Sequence, residues 1–213
     1  LLNTLNVNIS TIEDPIEYQM ARINQTQVKP DIGFSFAQGI RTLVRQDPDV
    51  IMVGEIRDEE TASLAVNAAL TGHLVLSTLH TNSAAGAIPR LVDMKVEPFL
   101  LVSTIKIIIA QRLLRRLTAN KEEDKLTKPE IEQLGKDVDL NRVMAFLKKE
   151  KIVGPNVDWG EISFFRPKNS KDSEDGFLGR VSIHEVLKMT PTIRDLIMRG
   201  MTTDQIDAQA KKD

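Results

Sequence analysis

The sequence predicts an α/β fold built on a parallel sheet, and three observations carry the prediction. Val50 to Val53 is a short, unbroken apolar run that follows Asp47-Pro48-Asp49 and stops at Gly54-Glu55. Such a run between turn residues is the pattern of a strand buried on both faces. Leu74 to Leu79 is a second β-rich run, and His80 follows it. Between them, Glu59 to Leu70 has helical composition, with Asp58 placed as its N-cap. Strand, helix and strand joined by the usual right-handed crossover make the two strands parallel. Glu55 and His80 then share the carboxyl edge of the sheet, where ligands gather in open α/β folds.

Composition narrows the class. The 213 residues suffice for one large domain or two small ones. With 41% hydrophobic and 27% charged residues the chain is ordinary for a globular protein, and with only 4% aromatics its core must be mostly aliphatic. A net charge of -2 provides no basic field, which argues against a nucleic-acid partner. There is no cysteine, so disulfides and thiolate metal sites are excluded. The longest apolar stretch, Pro98 to Ala110, is broken by Ser103, Thr104 and Lys106 and is too short to cross a bilayer. Any membrane contact is expected to be peripheral.

In chain order, Leu1 to Leu5 reads as the end of a helix already in progress, and residues 203–213 stop inside a helical pattern. The expectation is a piece of a longer protein. Val7 to Ile12 reads as a strand ending in Glu13-Asp14-Pro15, where proline forces a turn. Glu13, Asp14 and Glu17 place three carboxylates within five residues of a strand end. They suit Mg²⁺ and water positioning beside a phosphate, or simply form a solvated acidic turn. Ile23 to Val28 reads as a short strand. Ser35 caps a helix to Gln46 with Phe36, Ile40, Leu43 and Val44 on one face, while Arg41 and Arg45 leave that face toward solvent, a phosphate or a neighbouring subunit.

Glu55, just beyond the buried strand, can orient or deprotonate an attacking water. With Asp58, Glu59 and Glu60 it also suits a helix N-terminus, an explanation that fits Glu59 and Glu60 best. Ala62, Ala65, Ala68 and Ala69 let the following helix pack closely. His73 and His80 are seven residues apart across one strand, a separation of about 23 Å at ~3.3 Å per residue. His80 therefore belongs to the Glu55 edge and His73 to the opposite one.

Ser83 to Met94 reads as a helix that Pro89 kinks or splits. Glu97 to Leu117 reads as one long helix with Arg112, Arg115 and Arg116 at its C-terminal end. Two short helical segments follow, over 128–136 and 139–151. Glu161 to Arg166 reads as a strand, 169–176 as a polar loop, and Phe177 to Leu187 as β again, with His184 a lone, structural histidine. Thr190 to Gly200 is a capped helix ending at glycine. The division expected is 1–117 as the main domain and 118–213 as a small α+β subdomain.

Three ordered stretches give a resemblance. Thr11-Ile-Glu-Asp-Pro-Ile-Glu17 resembles the Asp box of the type II secretion and type IV pilus ATPases. Arg45 through Pro48-Asp49 to Gly54-Glu55-Ile56-Arg57-Asp58 resembles the Walker B signature of that family, and Thr71-Gly72-His73 through Leu79-His80-Thr81 its His box. The similarity is close over 8–117 and weaker over 176–199. It implies a RecA-like P-loop NTPase core, ATP and Mg²⁺ as cofactors, a homohexamer, and an inner-membrane platform protein as partner on the cytoplasmic side. It implies Glu55, Glu13 and His80 as catalytic residues, with Glu13 and Glu55 holding Mg²⁺ through water. Asp14, Glu17, Gly54, Arg57 and His73 are implied at the nucleotide. The chain departs from the family in two ways. Many relatives carry zinc-binding Cys-x-x-Cys pairs where this chain reads Thr118-Ala-Asn-Lys, so no zinc is expected. No Gly-x-x-x-x-Gly-Lys-Ser/Thr loop occurs, so the phosphate cradle is expected upstream and the isolated piece inactive. Two other readings remain at this point: a non-catalytic assembly module with a degenerate nucleotide fold, and a DNA-translocating motor.

Overall fold

The computed structural model describes residues 1–169, 171 and 173–213. Four strands, β1 (Ile9–Glu13), β2 (Ile23–Gln27), β3 (Val50–Val53) and β4 (Leu74–Ser77), form one parallel sheet in the order β2-β1-β3-β4. The register sets Ile9 beside Val50 and Ile12 beside Val53, and Val53 in turn beside Ser77. The strands thus end level, and the residues after them emerge together. Ile12, Ile51 and Val53 are fully buried, but Met52 on β3 and Leu74 and Leu76 on β4 are exposed, so the burial on both faces expected of Val50 to Val53 is incomplete.

Helix α1 (Phe36–Leu43) is capped by the Ser35 hydroxyl, which accepts from Gln38 N–H, and α2 (Glu59–Leu70) by Asp58, which accepts from Thr61 N–H. A Cβ at Gly39 would come within 2.6 Å of Ile12 Cδ1, so glycine lets α1 lie directly on β1. Ala62, Ala65 and Ala68 are buried on α2, the close packing their size allows.

The rest of the chain corrects several expectations. Leu1 to Leu5 is not helical. Five residues with no partner turn cannot sustain a helix nucleus. The helix expected from Ser83 begins only at Ala87: α3 is Ala87–Asp93, and Pro89 is its third residue. There its missing N–H falls among the donors that a first turn leaves unpaired anyway, so the proline lies near the start of the helix and not in its middle. The long helix over 97–117 is absent. Helix α4 (Pro98–Thr104) stops, Ile105 turns extended, and β5 (Ile107–Leu117) follows. The β-branched run Ile107-Ile108-Ile109 favours a strand, and pairing with β8 (Phe177–Lys188) supplies the partner. Arg112, Arg115 and Arg116 therefore stand on a strand and not at a helix end.

Two compact units result, and their division differs from 117/118. The first comprises 1–111 and 184–213, the second 112–183. The first has one aliphatic core, from Ile12, Ile40, Ile51 and Val53 through Leu101 to Ile193, Ile197 and Ile206. Its C-terminal part is α7 (Pro191–Met198), capped by Thr190, and α8 (Thr203–Ala210).

The second unit holds β6 (Lys121–Lys125) antiparallel to β7 (Ser163–Pro167), with α5 (Lys128–Asp137) and α6 (Leu140–Lys149). Strand β6 was not expected from its sequence, Lys-Glu-Glu-Asp-Lys. Cross-strand partners make it: Lys121 Nζ lies 3.8 Å from the Phe165 ring centre, and Arg166 pairs with both Asp124 and Glu130. Where relatives are expected to carry cysteines, the Thr118 hydroxyl donates to the Asn120 carbonyl at 3.0 Å. Of the polar loop expected over 169–176, residues 170 and 172 lie outside the described residues. Among the described residues no helix is long and apolar enough to cross a membrane.

Candidate functional site

The site begins where β1 and β3 end. Gly54 N–H donates to the Ile12 carbonyl at 2.8 Å, carrying the β1–β3 ladder one step beyond the strands. A Cβ on Gly54 would stand 3.2 Å from Ile12 O and 3.4 Å from Glu13 Cα. Glycine therefore lets the two strand ends close, and they bring up Glu13 and Glu55. On the other side, Ile56 N–H donates to the Thr78 carbonyl (3.0 Å) and the Thr78 hydroxyl to the Gly54 carbonyl (2.6 Å). Glu55 is thus tied on both flanks.

Glu55 is buried, with 9% exposure. Its Oε2 accepts from Arg57 Nε at 2.5 Å and lies 3.0 Å from His80 Nε2. Both partners are mostly exposed, their side chains 67% and 79% open to solvent. Burial pushes the Glu55 carboxyl pKa up, but the hydrogen bonds and charges of Arg57 and His80 outweigh it and hold the carboxyl below its ordinary value. Glu55 is therefore ionised at neutral pH, paired with two mostly exposed side chains.

Glu13, half-buried, is held by its own neighbours. Its Oε1 accepts from the Thr11 hydroxyl (2.5 Å) and from Gln25 Nε2 (3.0 Å). Gln25 is opposite Thr11 in the β1–β2 register, and its amide also spans the following turn, donating to Tyr18 O and accepting from Met20 N–H. Thr11, Gln25 and Thr78 had no signal in the sequence beyond polarity within a strand or at its end. Asp14 and Glu17 are exposed in the turn after β1. Arg41, considered for a phosphate, pairs with Glu60 at 2.5 Å.

His73 does not join this group. It precedes β4, at the amino end of the strand whose other end leads to His80. Its Nδ1 is 2.9 Å from the Ala68 carbonyl and 3.2 Å from the Thr71 hydroxyl, so the ring covers the end of α2. His184 stands exposed on β8.

Among the described residues no three His, Asp or Glu side chains converge as a metal site. Mg²⁺ asks for less: it keeps most of its waters and takes one or two carboxylates. The hard oxygen donors Glu13 and Glu55, on adjacent strand ends that Gly54 lets close, fit that requirement.

A family model described as "Type II/IV secretion system protein" matches residues 1–213. The type II secretion system protein E of Xanthomonas campestris pv. campestris is 49% identical over 212 residues, covering 99% of this chain and 34% of that protein. The type IV pilus assembly ATPase PilB of Myxococcus xanthus is 42% identical over 211 residues, covering 98% and 34%. The chain spans about a third of the length of these relatives. A crystal structure of the pilus retraction motor PilT with bound ADP superposes with a TM-score of 0.61 at 31% identity, covering 97% of this chain and 46% of that one.

Proposed function

Because the chain belongs along its whole length to the type II/IV secretion system protein family, we propose that it is the catalytic portion of an ATP-hydrolysing motor for type II secretion or type IV pilus assembly. One observation carries the reading: the ionised, buried Glu55 at the carboxyl end of β3, beside the end of β1 and paired with Arg57 and His80.

Phosphoryl transfer to water needs positioning and charge compensation more than covalent chemistry from the protein. Glu55, with its lowered pKa, is a weak proton store but a fixed negative acceptor. It orients and polarises the attacking water. Arg57 and His80 neutralise it at rest. When a triphosphate competes for them, Arg57 turns to the nucleotide and His80 to the γ-phosphate side, and Glu55 is uncovered for water. Glu13, fixed by Thr11 and Gln25, is the second water-holding carboxylate, with Asp14 and Glu17 extending the acidic edge. Mg²⁺, when bound with the nucleotide, supplies charge neutralisation at the phosphates, and Glu13 and Glu55 would hold it through water. Gly54 serves the nucleotide site by closing the strand ends. His73 serves it indirectly, by fixing α2 to the start of β4.

The Gly-rich phosphate loop comes from outside these 213 residues. The assembled motor is a homohexamer on the cytoplasmic face of the inner membrane. It acts on a membrane platform protein that loads or removes pilin-like subunits, without a nucleic-acid partner. Glu55→Gln in the complete protein tests the reading. ATP binding should be nearly intact and turnover reduced at least ~10²-fold. Equal losses of binding and turnover, or no ATP hydrolysis by the unsubstituted protein, would refute it.

A further inference from the structure

His80 stands on a stretch without regular structure of its own. β4 ends at Ser77 and α3 starts at Ala87, and the residues between are turns and irregular backbone. Its ring is 79% exposed, so packing does little to fix it. Where it reaches depends on the points that tie its backbone down. One tie is Thr78, bonded to Gly54 and Ile56 two residues before His80. A second lies four residues after it. Ala84 N–H donates to Glu185 Oε2 at 3.0 Å, across 101 residues of sequence. Ala84 is buried, with 3% exposure. Hydrogen bonds from buried backbone to a carboxylate are the strong, charge-assisted kind. The Thr81 and Ser83 hydroxyl bonds shape the turn internally, to Ser83 O and from Gly86 N–H, both at 3.1 Å. Glu185 instead ties it to β8, a strand outside the four-stranded sheet.

We propose that Glu185 is a positioning residue for hydrolysis: by holding the Ala84 end of the segment, it sets how His80 meets Glu55. The proposal rests on the reading of Glu55, Arg57 and His80 as the ATP-hydrolysing site. Its alternative is a purely structural bond that steadies the approach to α3. Glu185 is exposed and outside the apolar core, so replacing it empties no cavity.

A kinetic cycle in the complete protein separates the two. Glu185→Ala should lower kcat roughly 10-fold with KM for ATP little changed, the scale of a small misplacement of a reacting group. Glu185→Gln, whose amide oxygen still accepts from Ala84 N–H, should recover most of the rate. Glu185→Asp keeps the charge but is one methylene short, and should resemble Glu185→Ala. In a His80→Ala background, Glu185→Ala should cost no more than about 2-fold further, because coupled residues are not additive. Full multiplicative losses, or wild-type kcat in both Glu185→Ala and Glu185→Asp, would overturn the positioning role while leaving the hydrolytic site intact. An unsubstituted protein that hydrolyses no ATP would remove both readings.

Discussion

Gly54→Ala tests the joint on which the site is built. The added Cβ would meet Ile12 O at 3.2 Å and Glu13 Cα at 3.4 Å, with Phe36 Cε1 at 3.5 Å. The two nearest are backbone atoms of β1, which cannot rotate aside. Relief requires β1 and β3 to part, which stretches the 2.8 Å bond from Gly54 N–H to Ile12 O and carries Glu13 away from Glu55. Overpacking of this kind costs about 1–3 kcal/mol, and a weakened hydrogen bond up to ~1 kcal/mol of that order again. For a chain of this size each kcal/mol lowers the melting temperature by about 2–4 °C. Thermal melts followed by circular dichroism should therefore show a fall of several degrees. Gly160→Ala is the control, since nothing lies within 4 Å of its Cβ position. It should melt within about 1 kcal/mol of wild type. In the complete protein, Gly54→Ala should also lose turnover at temperatures where it remains folded. A Gly54→Ala protein with wild-type melting and wild-type turnover would refute the close-approach argument.

Three further outcomes are expected. The lowered Glu55 pKa contributes stability that is present above about pH 4.3, the unfolded glutamate value, and is lost as pH falls through the lower folded value; the stability difference between wild type and Glu55→Gln should therefore shrink in melts run from pH 6 down to 2, and a difference that grows would contradict it. His73→Ala removes the ring from the Ala68 carbonyl and should cost about 1 kcal/mol in chemical denaturation, with turnover following stability; lost turnover at unchanged stability would instead put His73 at the nucleotide. Calorimetric titration of ATP with Mg²⁺ into the 213-residue chain should find millimolar binding at best, because three missing charge-assisted phosphate bonds remove on the order of 5 kcal/mol; micromolar binding would reveal a phosphate cradle within these residues.

The sheet was legible where apolar or β-rich residues run between turn residues. Such runs marked β3 and β4, and Ser35 and Asp58 marked the helix starts. Legibility failed where the deciding partner is remote. No turn residue separates Thr104 from Ile107, so the change from α4 to β5 had no punctuation, and the β-branched run 107–109 becomes a strand by pairing with β8. The charged β6 becomes a strand through Phe165 and Arg166, some forty residues on. The site divides in the same way. That Glu55 and His80 share one edge of the sheet, and that His73 stands at the other, followed from strand direction and rise per residue; that their side chains pair at 3.0 Å did not. That Gln25 grips Glu13 did not, although it stands directly across from Thr11. Its chemistry was in plain view as an amide on a short strand. What was missing was the strand order, which alone sets β2 beside β1. Glu185 is the extreme case, a carboxylate on a strand whose contact with Ala84 crosses 101 residues. Local pattern thus identifies the groups that can do chemistry, while topology determines which others hold them in place.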